Sequence, residues 1–149
     1  MSFSSLRAWL FGSKPGTNTG VAGSSGTSVV SEEDSESRVL TLPDGRKLGY
    51  AQFGLSTGKP IFFCHGLPGS RIEAGHLHDA AREVGARIIA ADRPGTGLSS
   101  LQPGRTLLDH PKDLEHLAAH LKLQEYGVLV REAHRLASRS AVFLTARMG

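Results

Sequence analysis

From Arg38 onward the chain alternates between short apolar runs and stretches with the spacing of amphipathic helices. Arg38-Val39-Leu40-Thr41-Leu42 is rich in β-formers, and Pro43-Asp44-Gly45-Arg46 after it spells a tight turn. Lys47 to Gly54 alternates with period two, with Leu48, Tyr50 and Phe53 as its larger apolar groups. These two runs predict an antiparallel hairpin. Ile61-Phe62-Phe63-Cys64 is a continuous apolar run, the signature of a strand buried on both faces. Leu77, Ala80, Ala81 and Val84 then recur at helical spacing, with Gly85 where a C-terminal cap belongs. Arg87 to Asp92 is a second buried strand, and Arg93-Pro94-Gly95-Thr96-Gly97-Leu98-Ser99-Ser100 a turn-rich loop at its carboxyl end. Leu114, Leu117, Ala118 and Leu121 predict a second helix, capped by Thr106 or Asp109, with Pro111 tolerated in the first turn. Tyr126 to Val130 is a third buried strand. The order, a hairpin followed by βαβαβ, predicts an α/β fold with a parallel sheet and right-handed crossovers.

The flanks read differently. Residues 1–37 are dominated by Ser, Gly and Thr and end in an acidic run, Glu32-Glu33-Asp34-Ser35-Glu36. Such a segment buries too little apolar surface to offset its ordering entropy, so disorder is expected there. Its apolar island, Leu6 to Phe11 with Arg7 and Lys14 nearby, has a faint transit-peptide character but is too short for a membrane span. A loose N-terminus without targeting function is the favoured reading, and the expected location is cytoplasmic. The domain is therefore expected over 38–130, followed by a basic tail over 131–149, irregular or helical.

Charge changes the picture once it is located. The chain carries a net +3. Four tail arginines (Arg131, Arg135, Arg139 and Arg147) against Glu132 account for all of it, leaving the first 130 residues neutral overall. With no basic face on the domain, a nucleic-acid partner is not expected. The lone Cys64 excludes an intrachain disulfide and suits a reducing compartment.

The candidate chemistry lies in two loops. His65-Gly66-Leu67-Pro68-Gly69-Ser70 follows the first parallel strand, turning at once through Pro-Gly. Backbone N–H groups held at the carboxyl end of such a strand face the crevice where α/β proteins bind ligands, and there they can stabilise an oxyanion. Asp92-Arg93-Pro94-Gly95-Thr96-Gly97-Leu98-Ser99 follows the second. Gly95-Thr96-Gly97 lacks the third glycine of a dinucleotide fingerprint, and Gly66 to Ser70 lacks the lysine of a phosphate loop.

These two motifs and the strand from Tyr126 to Val130, in this order, resemble the amino-terminal half of the α/β-hydrolase fold (of the AB hydrolase-1 type). The resemblance covers about residues 38–130. It implies an oxyanion hole at Gly66 and Leu67, with the Leu67 N–H as donor. It implies that His65, Pro68, Gly69, Asp92 and Arg93 shape the pocket, with His65 packed under the loop and distinct from the family's catalytic histidine. It implies a small-molecule, ester-like substrate for the parent enzyme and no cofactor. Ester or amide hydrolysis leads; epoxide hydrolase and haloalkane dehalogenase chemistry, which use an aspartate nucleophile, follow.

In this family the fifth strand runs into the nucleophile elbow Gly-x-Ser-x-Gly, and the triad acid and histidine come later in the chain. Here Val130 is followed by Arg131-Glu132-Ala133-His134, and no Gly-x-Ser-x-Gly occurs. No catalytic residue is therefore assigned, and the chain is expected to be inactive. Codons for Arg131 to His134 can read Gly-Gly-Pro in another frame, so a splice, frameshift or gene-model junction after Val130 is expected. An uninterrupted message with no alternative frame or splice form would remove that expectation. The competing expectation is a non-catalytic fragment that self-associates through a sheet edge left open at Val128 and Val130.

Sharper roles for other residues yield to plainer ones. Cys64 beside His65 suggests a Cys–His pair, but adjacent strand residues point to opposite faces, which favours a small buried hydrophobe. His116 and His120 lie one turn apart but lack a third metal ligand, so solvent-facing histidines are favoured and no metal is expected. Ser70 and Ser99 read as turn residues. Leu136, Val142, Phe143 and Leu144 suggest an amphipathic tail.

Overall fold

The computed structural model describes residues 36–106, 108–131 and 141–147. The expectation of disorder over 1–37 falls almost wholly outside them, as does any structure at 132–140. The hairpin forms as expected from β1 (Arg38–Thr41) and β2 (Lys47–Gly54), with the turn closed by Gly45 N–H to Leu42 O at 2.9 Å. β3 (Lys59–Cys64), β4 (Ala86–Ala91) and β5 (Glu125–Arg131) follow, then β6 (Ala141–Arg147). They make one six-stranded sheet in the order β1-β2-β4-β3-β5-β6. β3 is parallel to both β4 and β5, whereas β2 pairs antiparallel with β4.

Strand alternation sends successive side chains to opposite faces. Leu48, Tyr50, Phe62, Cys64, Ile89 and Ala91 line one face, under Leu114, Leu117 and Ala118 of the helix α2 (Asp109–His120). Phe53, Ile61, Phe63, Ile88 and Ala90 line the other. Ala74 and Ala81 cover that face, from a 3₁₀ segment (Arg71–Leu77) and the short helix α1 (His78–Glu83). Phe62 is fully buried and meets the Tyr126 ring edge-on, centroids 4.9 Å apart.

Three details differ from the sequence reading. The helix expected from Leu77 to Val84 is shorter, confined to His78–Glu83 with Leu77 and Val84 as its flanking caps and Val84 exposed; the apolar cover is shared with the preceding 3₁₀ segment, whose Ala74 joins the cluster of Phe53 and Phe63. The Asp109 carboxylate, within the first turn of α2, accepts from Thr106 N–H (2.6 Å) and Oγ1 (3.0 Å), so these two residues close a local turn and neither is the N-cap. The third difference concerns the tail, expected to be irregular or helical. Residues 141–147 are instead a strand, antiparallel to β5 from Arg131↔Ala141 to Glu125↔Arg147. β5 is therefore paired on both sides, and Val128 and Val130 do not lie on an open edge. Pairing of residues 141–147 along β5 satisfies the N–H and C=O groups on the edge of β5 that would otherwise be open.

Candidate functional site

Three chain exits meet at the carboxyl end of the parallel strands: the loop after Cys64, the loop after Ala91 and the end of β5 at Arg131. β2 runs antiparallel, so its start and the β1–β2 turn lie at the same end. Asp92, fully buried, ties two of these exits together. Its Oδ1 accepts from Arg71 N–H at 2.8 Å, and its Oδ2 from the Arg71 guanidinium at 2.8 Å and Leu98 N–H at 2.9 Å. The Arg71 guanidinium in turn donates to Glu36 O at 2.7 Å. A carboxylate with three donors, two from backbone, is a rigid strap between the loops after β3 and β4. Gly97 has φ +52, and a Cβ there would overlap the Asp92 carboxylate, so the loop closes over Asp92 only with glycine at that point.

Ser99 and Ser100 finish the strap on the β2 side. Ser99 Oγ accepts from Gly49 N–H (3.0 Å) and donates to Asp92 O (3.1 Å); Ser100 Oγ accepts from Lys47 N–H (2.9 Å). They are loop fasteners. Ser70 directly precedes the 3₁₀ segment and makes no side-chain cap; its carbonyl accepts from Glu73 N–H.

His65 is fully buried under the first loop. Arg93 N–H donates to its Nε2 at 3.4 Å, which makes Nε2 an acceptor and places the ring proton on Nδ1. Nδ1 lies 2.8 Å from Gly66 O and donates to it. Arg93 Nη2 also donates to the His65 carbonyl at 3.0 Å. Both ring nitrogens are engaged in holding the loop. Gly66 is half-buried, Leu67 is 60% exposed, and the Leu67–Pro68 peptide is cis. Among the described residues no hydrogen bond is found from the Gly66 or the Leu67 N–H.

Sequence reasoning missed Glu73 and Arg131. A Cβ on Gly69 would stand 2.6 Å from Glu73 Oε2, so this carboxylate packs directly on the loop after β3. Its Oε1 is ion-paired with the Arg131 guanidinium, and Oε2 is buried without a partner among the described residues. No periodicity marks Glu73, because it sits in a 3₁₀ turn; Arg131 was read only as tail charge.

Burial raises the Cys64 thiol, with the Arg93 charge opposing, so the proton is held and a thiolate nucleophile is disfavoured. His110, near the start of α2, is pushed down to about 4 by burial and then by the Arg93 charge, and its Nδ1 is buried without a partner among the described residues. His116 and His120 are exposed, and among the described residues no cluster of three metal-ligating side chains forms. A separate cleft of about 180 Å³ is lined by the Arg46–Asp113 ion pair, Gln102 and Lys112. No helix among the described residues is long and apolar enough to cross a membrane.

No family model matches the chain. No curated protein matches it either. Solved structures do. A putative aryl esterase from Burkholderia cenocepacia is 27% identical, with TM-score 0.54, covering 63% of this chain and 36% of that one. The epoxide hydrolase VrEH1 from Vigna radiata is 24% identical, with TM-score 0.58, covering 68% and 32%. An esterase from Exiguobacterium antarcticum is 24% identical, with TM-score 0.54, covering 62% and 34%. The chain thus spans about a third of the length of the structures it matches. With the β1-β2-β4-β3-β5 sheet order and the strapped loops after β3 and β4, the chain carries the α/β-hydrolase fold in part.

Proposed function

We propose that this chain holds the oxyanion side of an α/β-hydrolase site and does not itself perform triad hydrolysis. The observation that carries the reading is a contrast within one crevice. Leu67 N–H, on a loop anchored by His65 and strapped through Asp92, can donate to a developing oxyanion. The chain leaving β5 reads Arg131-Glu132-Ala133-His134, where the family places its nucleophile. The parent chemistry is attack by a serine hydroxyl on an ester-like carbonyl. The carbonyl π electrons move to oxygen, the Leu67 N–H stabilises that oxygen, and the serine proton passes to a histidine. Esterases among the solved structures favour this reading. Opening of an epoxide by an aspartate is the second reading, favoured by the epoxide hydrolases among them.

The purified chain tests it with p-nitrophenyl acetate. The expected result is release of p-nitrophenol that is linear in substrate and no faster than an equal concentration of free imidazole. Saturating turnover far above imidazole, retained when the exposed His116 and His120 are replaced, would overturn the reading. Placement in the cytoplasm remains part of the proposal, and imaging of the tagged full chain tests it; an organellar pattern overturns that part.

A further inference from the structure

β6 is the last strand of the sheet, and among the described residues nothing pairs with its outer edge. The opposite edge, β1, has four residues and is soon followed by Pro43, a short edge of the kind that resists pairing. β6 has seven, Ala141-Val142-Phe143-Leu144-Thr145-Ala146-Arg147, with no proline, glycine or acid among them. Charges, prolines and bulges are what protect exposed edges, and β6 carries a single charge at its very end. We propose that β6 is the seam of a homodimer: two copies pair antiparallel about a twofold axis at Leu144, joining two six-stranded sheets into one.

The strand's own sequence favours a second copy as the occupant. In that register Leu144 pairs with Leu144, Phe143 with Thr145, Val142 with Ala146 and Ala141 with Arg147. The two arginines then stand at opposite ends of the seam, and every central pair joins residues that favour strands. A parallel seam would set Arg147 beside Arg147. Addition of β6 to β1 of the next copy would offer four residues of pairing and generate an open filament in place of a closed dimer.

Light scattering on the full chain during size-exclusion chromatography tests the seam. The expected mass at tens of micromolar is twice the 15.8 kDa of one chain. Leu144→Lys sets two ammonium groups across the axis and Leu144→Glu two carboxylates. Each alone is expected to raise the dimer dissociation constant at least ~5-fold. An equimolar mixture of the two is expected to restore a dimer, and Val39→Lys on β1 to leave it unchanged. A monomeric wild type, species larger than a dimer, or two Leu144 variants that dimerise like wild type would each overturn the proposal. So would a mixture of folded variants that stays monomeric. Should either variant fail to fold, amide exchange on the wild type decides. Protection of β6 that rises with protein concentration supports the seam, and concentration-independent protection overturns it.

Discussion

Asp92 is the residue on which the site's geometry depends most. It is fully buried, and its partner Arg71 is nearly so. Asp92→Ala leaves a buried guanidinium without its counter-charge and two backbone donors unpaired, and is expected to cost about 3–5 kcal/mol, read from urea unfolding. Replacing Arg71 and Asp92 together by apolar residues of similar volume should cost less than Asp92→Ala alone. A second prediction concerns His110. Its folded-state value, near 4, lies below the ordinary 6.5. As pH falls through 6.5 the unfolded chain takes up this proton first, so stability present above 6.5 is lost progressively down to about 4. For this partly buried ring the loss is expected to be roughly 2 kcal/mol, and His110→Gln should flatten that part of the stability–pH curve. A slope unchanged in the variant would assign it to other groups. The family resemblance marked Asp92 as a pocket-shaping residue, but neither its partner nor the role of His110 was legible in the sequence. Asp92 could be placed at the end of a strand, but its partner Arg71 is 21 residues away and joined to it only by the fold.

At the scale of elements, the strands and the long helix follow from periodicity because burial on both faces leaves an unambiguous record. Ile61 to Cys64 and Ile88 to Ala91 are all buried. Phe62 packs against Tyr126 across two strands, and Phe62→Ala is expected to lose about 3–5 kcal/mol in denaturant unfolding. A second tie joins the first hairpin to α2. The Arg46 guanidinium donates to both oxygens of Asp113, at 3.1 and 2.7 Å, and Asp113 is buried. Arg46→Ala should therefore cost more than Asp44→Ala, because Asp44 is exposed and leaves no buried charge behind. Thermal unfolding of the two variants compares them directly. The 3₁₀ segment and β6 escaped the sequence reading for separate reasons. Seven residues of 3₁₀ helix have no 3.6-residue signature. β6 exists as a strand by virtue of the edge of β5, a partner that periodicity within residues 141–147 cannot reveal.

For the whole molecule, the family fold was legible because two loops and three buried strands occur in a fixed order, and the sheet order agrees. The reading reached only part of a site. The loop from His65 to Ser70 is anchored as an oxyanion-binding loop would be, and β5 continues into Arg131, whose guanidinium reaches across to Glu73 beside that loop. The central claim is that this crevice has oxyanion donors and no activated serine. A fluorophosphonate, which forms a covalent bond with an activated serine and expels fluoride, addresses it directly through the intact mass of the full chain. The account predicts that the mass stays at that of the unmodified 15.8 kDa chain after prolonged exposure. A stoichiometric adduct confined to one serine would contradict it.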